Sequence, residues 1–250
     1  VEMKQVLHCW KYMQSRFPGE IIPVTYVNSS AEVKAFCGKH GGLTCTSSSA
    51  EAAFNWAMQG GKRILFFPDQ HLGRNTGEKI GVSIQEMAVW NRHRGSLSGS
   101  EDPRLILWDG YCPVHLKFTA QRIREIREKH PGIQVIVHPE CTYETVKEAD
   151  LNGSTEYIIS CIKNSESGSS WAVGTEINLV KRIANENKDK YVISLDDRIQ
   201  PCPDMMKIGI RNLLWCLDGI LNENIENSVN VEPETAKYAR MALERMLNIG

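Results

Sequence analysis

Two cysteines stand at matching places in the chain, each a few residues after a short apolar run. Cys112 follows residues 105–108 and Cys202 follows residues 191–195. Two thiolates are too few for a four-ligand structural zinc site, but one thiolate from each of three similar units would suit an iron–sulfur cluster with one open iron. The spacing alone leaves a second interpretation open, because free cysteines are commonly small core residues.

His115, His138 and Glu140 form a candidate acid/base set. His138 and Glu140 follow a strand-like run, and alternate residues of a strand point the same way. An imidazole beside a carboxylate can shuttle protons near neutral pH. A lone histidine is usually structural, and that alternative stays open for His115.

Hydroxyl clusters precede two predicted helices, at residues 46–49 and 153–155. Residues of this kind most often cap the start of a helix. The free backbone N–H groups at a helix start can also bind an anion. The loop at residues 71–77 has two glycines and an arginine, which suits either an anion contact or a plain surface loop. No glycine-rich nucleotide-binding motif occurs. The basic residues between 122 and 129 alternate with acids, which is typical of a solvated helix face.

Composition excludes several classes of protein. The net charge of −1 argues against a nucleic-acid or membrane-surface partner. No apolar run is long enough to span a membrane, and residues 1–5 do not resemble a signal peptide. The 8 cysteines form no CxxC pair and the core is ample without disulfides, so we predict a reducing, cytoplasmic setting.

An internal repeat predicts the fold. Each copy has three strand-like runs alternating with helical patterns, and an acidic residue, Asp69 or Glu176, follows its second strand. This alternation predicts an α/β protein of repeated three-layer αβα units with parallel sheets. The predicted divisions are a helix at 1–18, units at 19–112 and 113–202, and closing helices at 203–250.

The ordered motifs of the chain closely resemble those of the quinolinate synthase family. They stand at residues 26–35, 46–50, 68–73, 108–115, 138–141, 149–155, 174–176 and 202–206. The resemblance implies three α/β units about a pseudo-threefold axis, holding a [4Fe–4S] cluster through one cysteine each. It implies condensation of iminoaspartate with dihydroxyacetone phosphate to quinolinate in NAD biosynthesis, a functional link to L-aspartate oxidase, and a homodimer.

The resemblance also implies roles for individual residues. Cys112 and Cys202 carry over as cluster ligands. The implied substrate-pocket residues, of which Tyr26, His138 and Glu140 are catalytic, are Tyr26, Asn28, Ser47, His115, His138, Glu140, Ser154 and Thr155.

The chain departs from the family pattern in several places. The family's first unit, with the third ligand cysteine, is expected before residue 1, so this chain alone is expected to be inactive, with its closing helices packing toward that unit. Cys9 belongs to a helical pattern and is not predicted as a ligand. Residues 37–42 are expected to lengthen a loop, and Asn178 replaces a frequent glycine. Two alternative interpretations stay open: the chain is a non-catalytic small-anion binding protein, or it is an inert fragment of an enzyme.

Overall fold

The computed structural model describes residues 1–249, which form an α/β protein with two sheets. The first sheet and its helices are α1 (Met3–Arg16), β1 (Ile21–Tyr26), α2 (Ala31–Lys39), β2 (Leu43–Cys45), α3 (Ala50–Ala57), β3 (Arg63–Phe67), α4 (Gln70–Lys79), β4 (Met87–Asn91), β5 (Ser96–Gly99) and β6 (Leu105–Trp108). The second group is α5 (Ala120–Lys129), β7 (Gln134–Val137), α6 (Tyr143–Glu148), β8 (Leu151–Asn152), α7 (Thr155–Asn164), β9 (Ser170–Gly174), α8 (Ile177–Glu186) and β10 (Tyr191–Ser194). The closing helices are α9 (Ile210–Leu221) and α10 (Pro233–Ile249). None of the helices described is long and apolar enough to cross a membrane.

The two sheets share one strand order. The order β2-β1-β3-β6 of the first sheet is matched by β8-β7-β9-β10 in the second, and all of these pairs are parallel. The repeat predicted from the sequence is therefore present in the topology. The first sheet adds β4 beside β6 and the antiparallel β5 at its edge. This β4–β5 hairpin and the short strands β2 and β8 were not predicted.

Helices cover both faces of each sheet, which gives the predicted three layers. In β3, Leu65 and Phe67 pack with α1 and α2, whereas Ile64 and Phe66 pack with α3 and α4. The second sheet is covered in the same way, by α5 and α6 on one face and by α7 and α8 on the other. Strands buried on both faces read as continuous apolar runs, which is why β3 and β6 are recognisable in the sequence.

The expectation of a longer loop at residues 37–42 is wrong for residues 37–39, which complete α2. Gly38 lies so close to α10 that an added Cβ would stand 2.0 Å from the Tyr238 carbonyl oxygen. Arg245 donates from Nη1 to the carbonyls of Gly38 and Gly42, at 3.1 and 2.6 Å. Gly38 and Gly42 therefore belong to the surface on which α10 packs.

The two closing helices behave differently. The sequence predicts that both pack toward a unit outside this chain. Within the described residues, α10 lies on α2 and β2 with Ala239 and Ala242 buried. The Thr44 hydroxyl also donates to the Ala242 carbonyl. In α9, by contrast, no residue is buried, and Ile210 is 87% exposed. The apolar face of α9 is therefore uncovered by the residues that the structure describes.

We expect Gly38→Ala to destabilise the fold. In an open helix alanine is favoured over glycine by up to about 1 kcal/mol. Here the methyl group would push α10 off α2, so we expect a net loss of about 1–3 kcal/mol in urea unfolding. The matched control is Gly209→Ala, where the nearest atom to the new Cβ is Asn212 Oδ1 at 3.4 Å and the expected change is under about 1 kcal/mol. Equal stability of Gly38→Ala and the unsubstituted protein would contradict this packing.

Candidate active site

The carboxyl ends of strands from both sheets open onto one cleft of about 910 Å³. Tyr26 ends β1 and Asn28 follows it, Cys112 follows β6, and His138 and Glu140 follow β7. Parallel strands bring their carboxyl ends to one edge, and open α/β sheets bind ligands there. The cleft is therefore the place in this fold where a ligand is expected.

All of the predicted site residues except Ser47 and Ser154 line this cleft. Its predicted members are Tyr26, Asn28, Cys112, His115, His138, Glu140, Thr155 and Cys202. Ser47 and Ser154 line a neighbouring cavity of about 260 Å³. The Ser154 hydroxyl accepts a hydrogen bond from the Tyr157 amide at 3.2 Å and so caps α7, the ordinary role of a hydroxyl before a helix.

A buried histidine–carboxylate pair occupies the cleft floor. His115 Nδ1 lies 2.8 Å from Glu140 Oε2, and His115 Nε2 lies 3.1 Å from Thr175 Oγ1. The His115 and His138 rings stack with their centroids 4.4 Å apart. His138 Nδ1 accepts the Glu140 amide at 3.3 Å and lies 3.9 Å from the carboxylate. The sequence paired Glu140 with His138, whereas its close side-chain partner is His115.

The two stacked histidines differ in charge. Burial lowers the pKa of His115, but hydrogen bonds and charges from Cys112 and Glu140 outweigh it and raise the pKa to about 9. Burial, followed by the positive charge of His115, lowers the pKa of His138 to about 4. Burial raises the pKa of Glu140, but the two histidines hold it below its usual value. At neutral pH the cleft therefore holds an imidazolium–carboxylate pair beside a neutral imidazole.

Asn75 of α4 fixes the loop that carries Glu140. Its side-chain amide donates to the carbonyls of Pro139 and Cys141, both at 2.8 Å, and the residue is 7% exposed. Buried amide donors are costly to leave unpaired, so a shift of this loop would lose both bonds. No sequence pattern indicates this contact, because it joins α4 of the first sheet to a loop of the second.

Cys112 and Cys202 occupy matching turns. Each precedes a proline and a short 3₁₀ turn. Each cysteine carbonyl accepts a hydrogen bond from the amide four residues later, that of Leu116 at 3.1 Å and that of Met206 at 3.0 Å. Both thiols are partly exposed and line the cleft. The strand-end turns of the two units thus deliver one thiol each to the same space.

The donor set of the cleft fits a thiolate-bound metal centre. The ligand atoms of Cys112, His115 and Glu140 lie within 4.8 Å of one another, and Cys202 adds a second thiol to the cleft. Soft thiolates favour iron–sulfur clusters and zinc over hard cations. The thiols of Cys9, Cys37, Cys45 and Cys141 are buried, and burial raises the pKa of each, which disfavours the thiolate form that binds metals.

Further cleft residues were not predicted as site residues. They are Asp69, Arg92, Thr175, Glu176 and Arg182. Burial and the charge of Glu140 raise the pKa of Asp69 to about 7. The repeat offered a signal for two of them, because Asp69 and Glu176 each follow the second strand of a unit.

We expect the metal-free chain at pH 7 to contain a doubly protonated His115 and a neutral His138. Ring ¹⁵N chemical shifts report both protonation states. Glu140→Gln should bring the His115 pKa down, because it removes the carboxylate that stabilises the imidazolium. A His115 that titrates near 6.5 in the unsubstituted chain would contradict the buried ion pair.

Comparison with known proteins assigns the family. Residues 1–248 match the family described as "Quinolinate synthetase A protein". The chain is 46% identical to the quinolinate synthase of Listeria monocytogenes, over 99% of this chain and 69% of the relative. It is 48% identical to that of Bacillus subtilis, over 99% of this chain and 68% of the relative. It is 45% identical to that of Streptomyces coelicolor, over 98% of this chain and 64% of the relative. The chain belongs to the quinolinate synthetase A family.

Proposed function

We propose that this chain provides the cleft between its sheets for the quinolinate synthase reaction of NAD biosynthesis. Iminoaspartate and dihydroxyacetone phosphate condense to quinolinate with loss of phosphate and two molecules of water. The observation that carries the proposal is that one cleft holds Cys112, Cys202 and the buried His115–Glu140 pair. The relatives named quinolinate synthase support the same reaction.

The proposed cofactor is a [4Fe–4S] cluster. Cys112 and Cys202 would provide two ligands, and a third thiolate would come from a further unit about a pseudo-threefold axis, outside the residues described. When bound, the cluster supplies a Lewis-acidic iron with an open coordination position. Because the described residues offer two partly exposed cleft thiols, we expect no stable cluster and no turnover from this chain alone.

Proton transfer is assigned to three side chains. Glu140 is ionised at neutral pH because its pKa lies below the usual value, and we assign it as the general base at the carbon that loses water. His138 is neutral at pH 7, and we assign it as the group that takes up a proton transiently; its low pKa favours return of the proton. Burial raises the pKa of Tyr26, which keeps its hydroxyl protonated as a donor.

Substrate anions are assigned to the polar groups near helix starts. Asn28 and Thr155 line the cleft, and Ser47 and Ser154 line the adjoining cavity. The amino-terminal ends of α3 and α7 favour negative charge, so these residues suit the carboxylates and the phosphate of the substrates. Each charge-assisted hydrogen bond would contribute on the order of 1.5–3 kcal/mol.

The proposed reaction and the family resemblance also suggest a functional partner, a location and an oligomeric state. Iminoaspartate must be supplied by oxidation of aspartate, which is the basis for the proposed link to L-aspartate oxidase. From the family resemblance we also propose that the protein is a cytoplasmic homodimer. A non-catalytic small-anion binding protein would use the same helix starts but would not need thiols in the cleft, and this difference allows a direct test.

We expect Cys112→Ser and Cys202→Ser each to abolish cluster binding in the completed enzyme, defined as this chain joined to the part of the Bacillus subtilis relative that it does not match. Cys37→Ser, Cys141→Ser and Cys161→Ser should retain the cluster, because those thiols do not line the cleft. Iron and sulfide per chain after anaerobic reconstitution measure the outcome. An active cluster in Cys202→Ser would contradict the assignment, and no cluster in the unsubstituted protein would favour the binding-protein alternative.

Glu140→Gln should retain the cluster and lose most turnover in the completed enzyme. The substitution keeps the shape of the side chain and removes the titratable carboxylate, so a general base predicts a loss of roughly 10²–10⁴ in kcat. Glu101→Gln is the matched control, because the Glu101 side chain is 92% exposed and lies outside the cleft. Near-normal turnover of Glu140→Gln would make Glu140 a structural acceptor.

A further inference from the structure

We propose that Asp69 and Glu176 are positioning residues that hold the two ligand cysteines in place for the metal centre. This inference rests on the proposed roles of Cys112 and Cys202 as cluster ligands. It arises from one hydrogen-bond arrangement that occurs once in each unit.

In the first unit, the Asp69 carboxylate uses its two oxygens for different tasks. Oδ1 accepts the amides of His71 and Leu72, both at 2.8 Å, and so caps α4. Oδ2 accepts the Cys112 amide at 2.9 Å, across 43 residues of sequence. Hydrogen bonds from one buried side chain thereby connect the turn of Cys112, after β6, with the start of α4, after β3.

The second unit repeats this arrangement with one extra methylene. Glu176 Oε2 accepts the amides of Asn178 and Leu179 at 2.8 and 3.3 Å, which caps α8. Glu176 Oε1 accepts the Cys202 amide at 3.2 Å and also the Asn178 side-chain amide at 3.2 Å. The acid follows β3 in one unit and β9 in the other, and the cysteine follows β6 or β10, the strand at the end of the shared order.

Helix capping alone does not require a buried acid at these places. Thr119, Thr142 and Ser154 cap α5, α6 and α7 with one hydroxyl each. Asp69 and Glu176 are only 5% and 7% exposed, and burial of a carboxylate is costly unless several N–H groups satisfy it. A hydroxyl would cap the helix, but it lacks the second acceptor that reaches the cysteine amide.

The second oxygen therefore has a distinct consequence. It fixes the cysteine backbone before metal binding, which lowers the entropy lost when the thiol becomes a ligand. Residues that orient metal ligands typically change metal affinity by about 10- to 100-fold when they are substituted. We expect an effect of this size from each of the two acids.

The test replaces each acid by its amide, which keeps the helix cap and removes the hydrogen bond to the cysteine amide. In Asp69→Asn and Glu176→Gln, one oxygen still accepts the helix amides, while an NH₂ group, which cannot accept, faces the cysteine amide. Thr119→Ala is the matched control, because it removes a helix cap that touches no cysteine. Asp69→Glu and Glu176→Asp restore two acceptor oxygens and should recover part of the effect.

The readouts are iron release to a chelator from the cluster-loaded completed enzyme and hydrogen exchange of the cysteine amides. We expect iron release to be about 10- to 100-fold faster in Asp69→Asn and in Glu176→Gln, with Cys112 or Cys202 losing amide protection, respectively. Thr119→Ala should lower the unfolding midpoint without changing either readout. If Asp69→Asn does not fold, Glu176→Gln tests the same claim in the other unit.

Iron release at the unsubstituted rate in both amide variants would overturn the inference. Faster release in Thr119→Ala to the same extent would also overturn it, because the effect would then be general loss of stability. Absence of a cluster from the unsubstituted completed enzyme would instead reject the proposed function, so the two failures are distinguishable.

Discussion

The candidate site depends on Asn75, the residue of the first unit that fixes Glu140 of the second. Its amide donates to the carbonyls on both sides of Glu140, at 2.8 Å each, in a setting with little access to water. Each buried donor left unpaired would cost about 1–3 kcal/mol, so the loop has one favourable position. The Glu140 carboxylate can then meet His115, and their pairing sets the charges of the cleft floor. Contacts between the two units thereby determine which groups of the site are protonated.

The repeated topology separates two tasks. Both units supply the same strand order, and each places one thiol in the cleft after the corresponding strand. The residues at the end of the first strand of each unit differ, with Tyr26 and Asn28 in one and His138 and Glu140 in the other. Similar backbones therefore present a hydroxyl and an amide in one unit and an imidazole and a carboxylate in the other. A duplicated scaffold can thus build an asymmetric active site.

The strands that end at the cleft could be predicted from sequence, because strands buried on both faces are continuous apolar runs and polar residues follow them directly. The partner of Glu140 could not. Alternation within one strand suggested His138, but His115 reaches the carboxylate from the turn that follows Cys112, and no periodicity encodes such a contact. The docking of α10 was missed for a similar reason. An amphipathic pattern shows that a helix has an apolar face but does not identify what that face packs against.

The central claim is that Cys112 and Cys202 bind one iron–sulfur cluster in the cleft. Anomalous diffraction at the iron edge, from crystals of the anaerobically reconstituted completed enzyme, tests it most directly. We predict one compact iron peak within bonding distance of both sulfur atoms and beside the His115–Glu140 pair. Iron bound at Cys161 or Cys216, with the cleft thiols free, would contradict it.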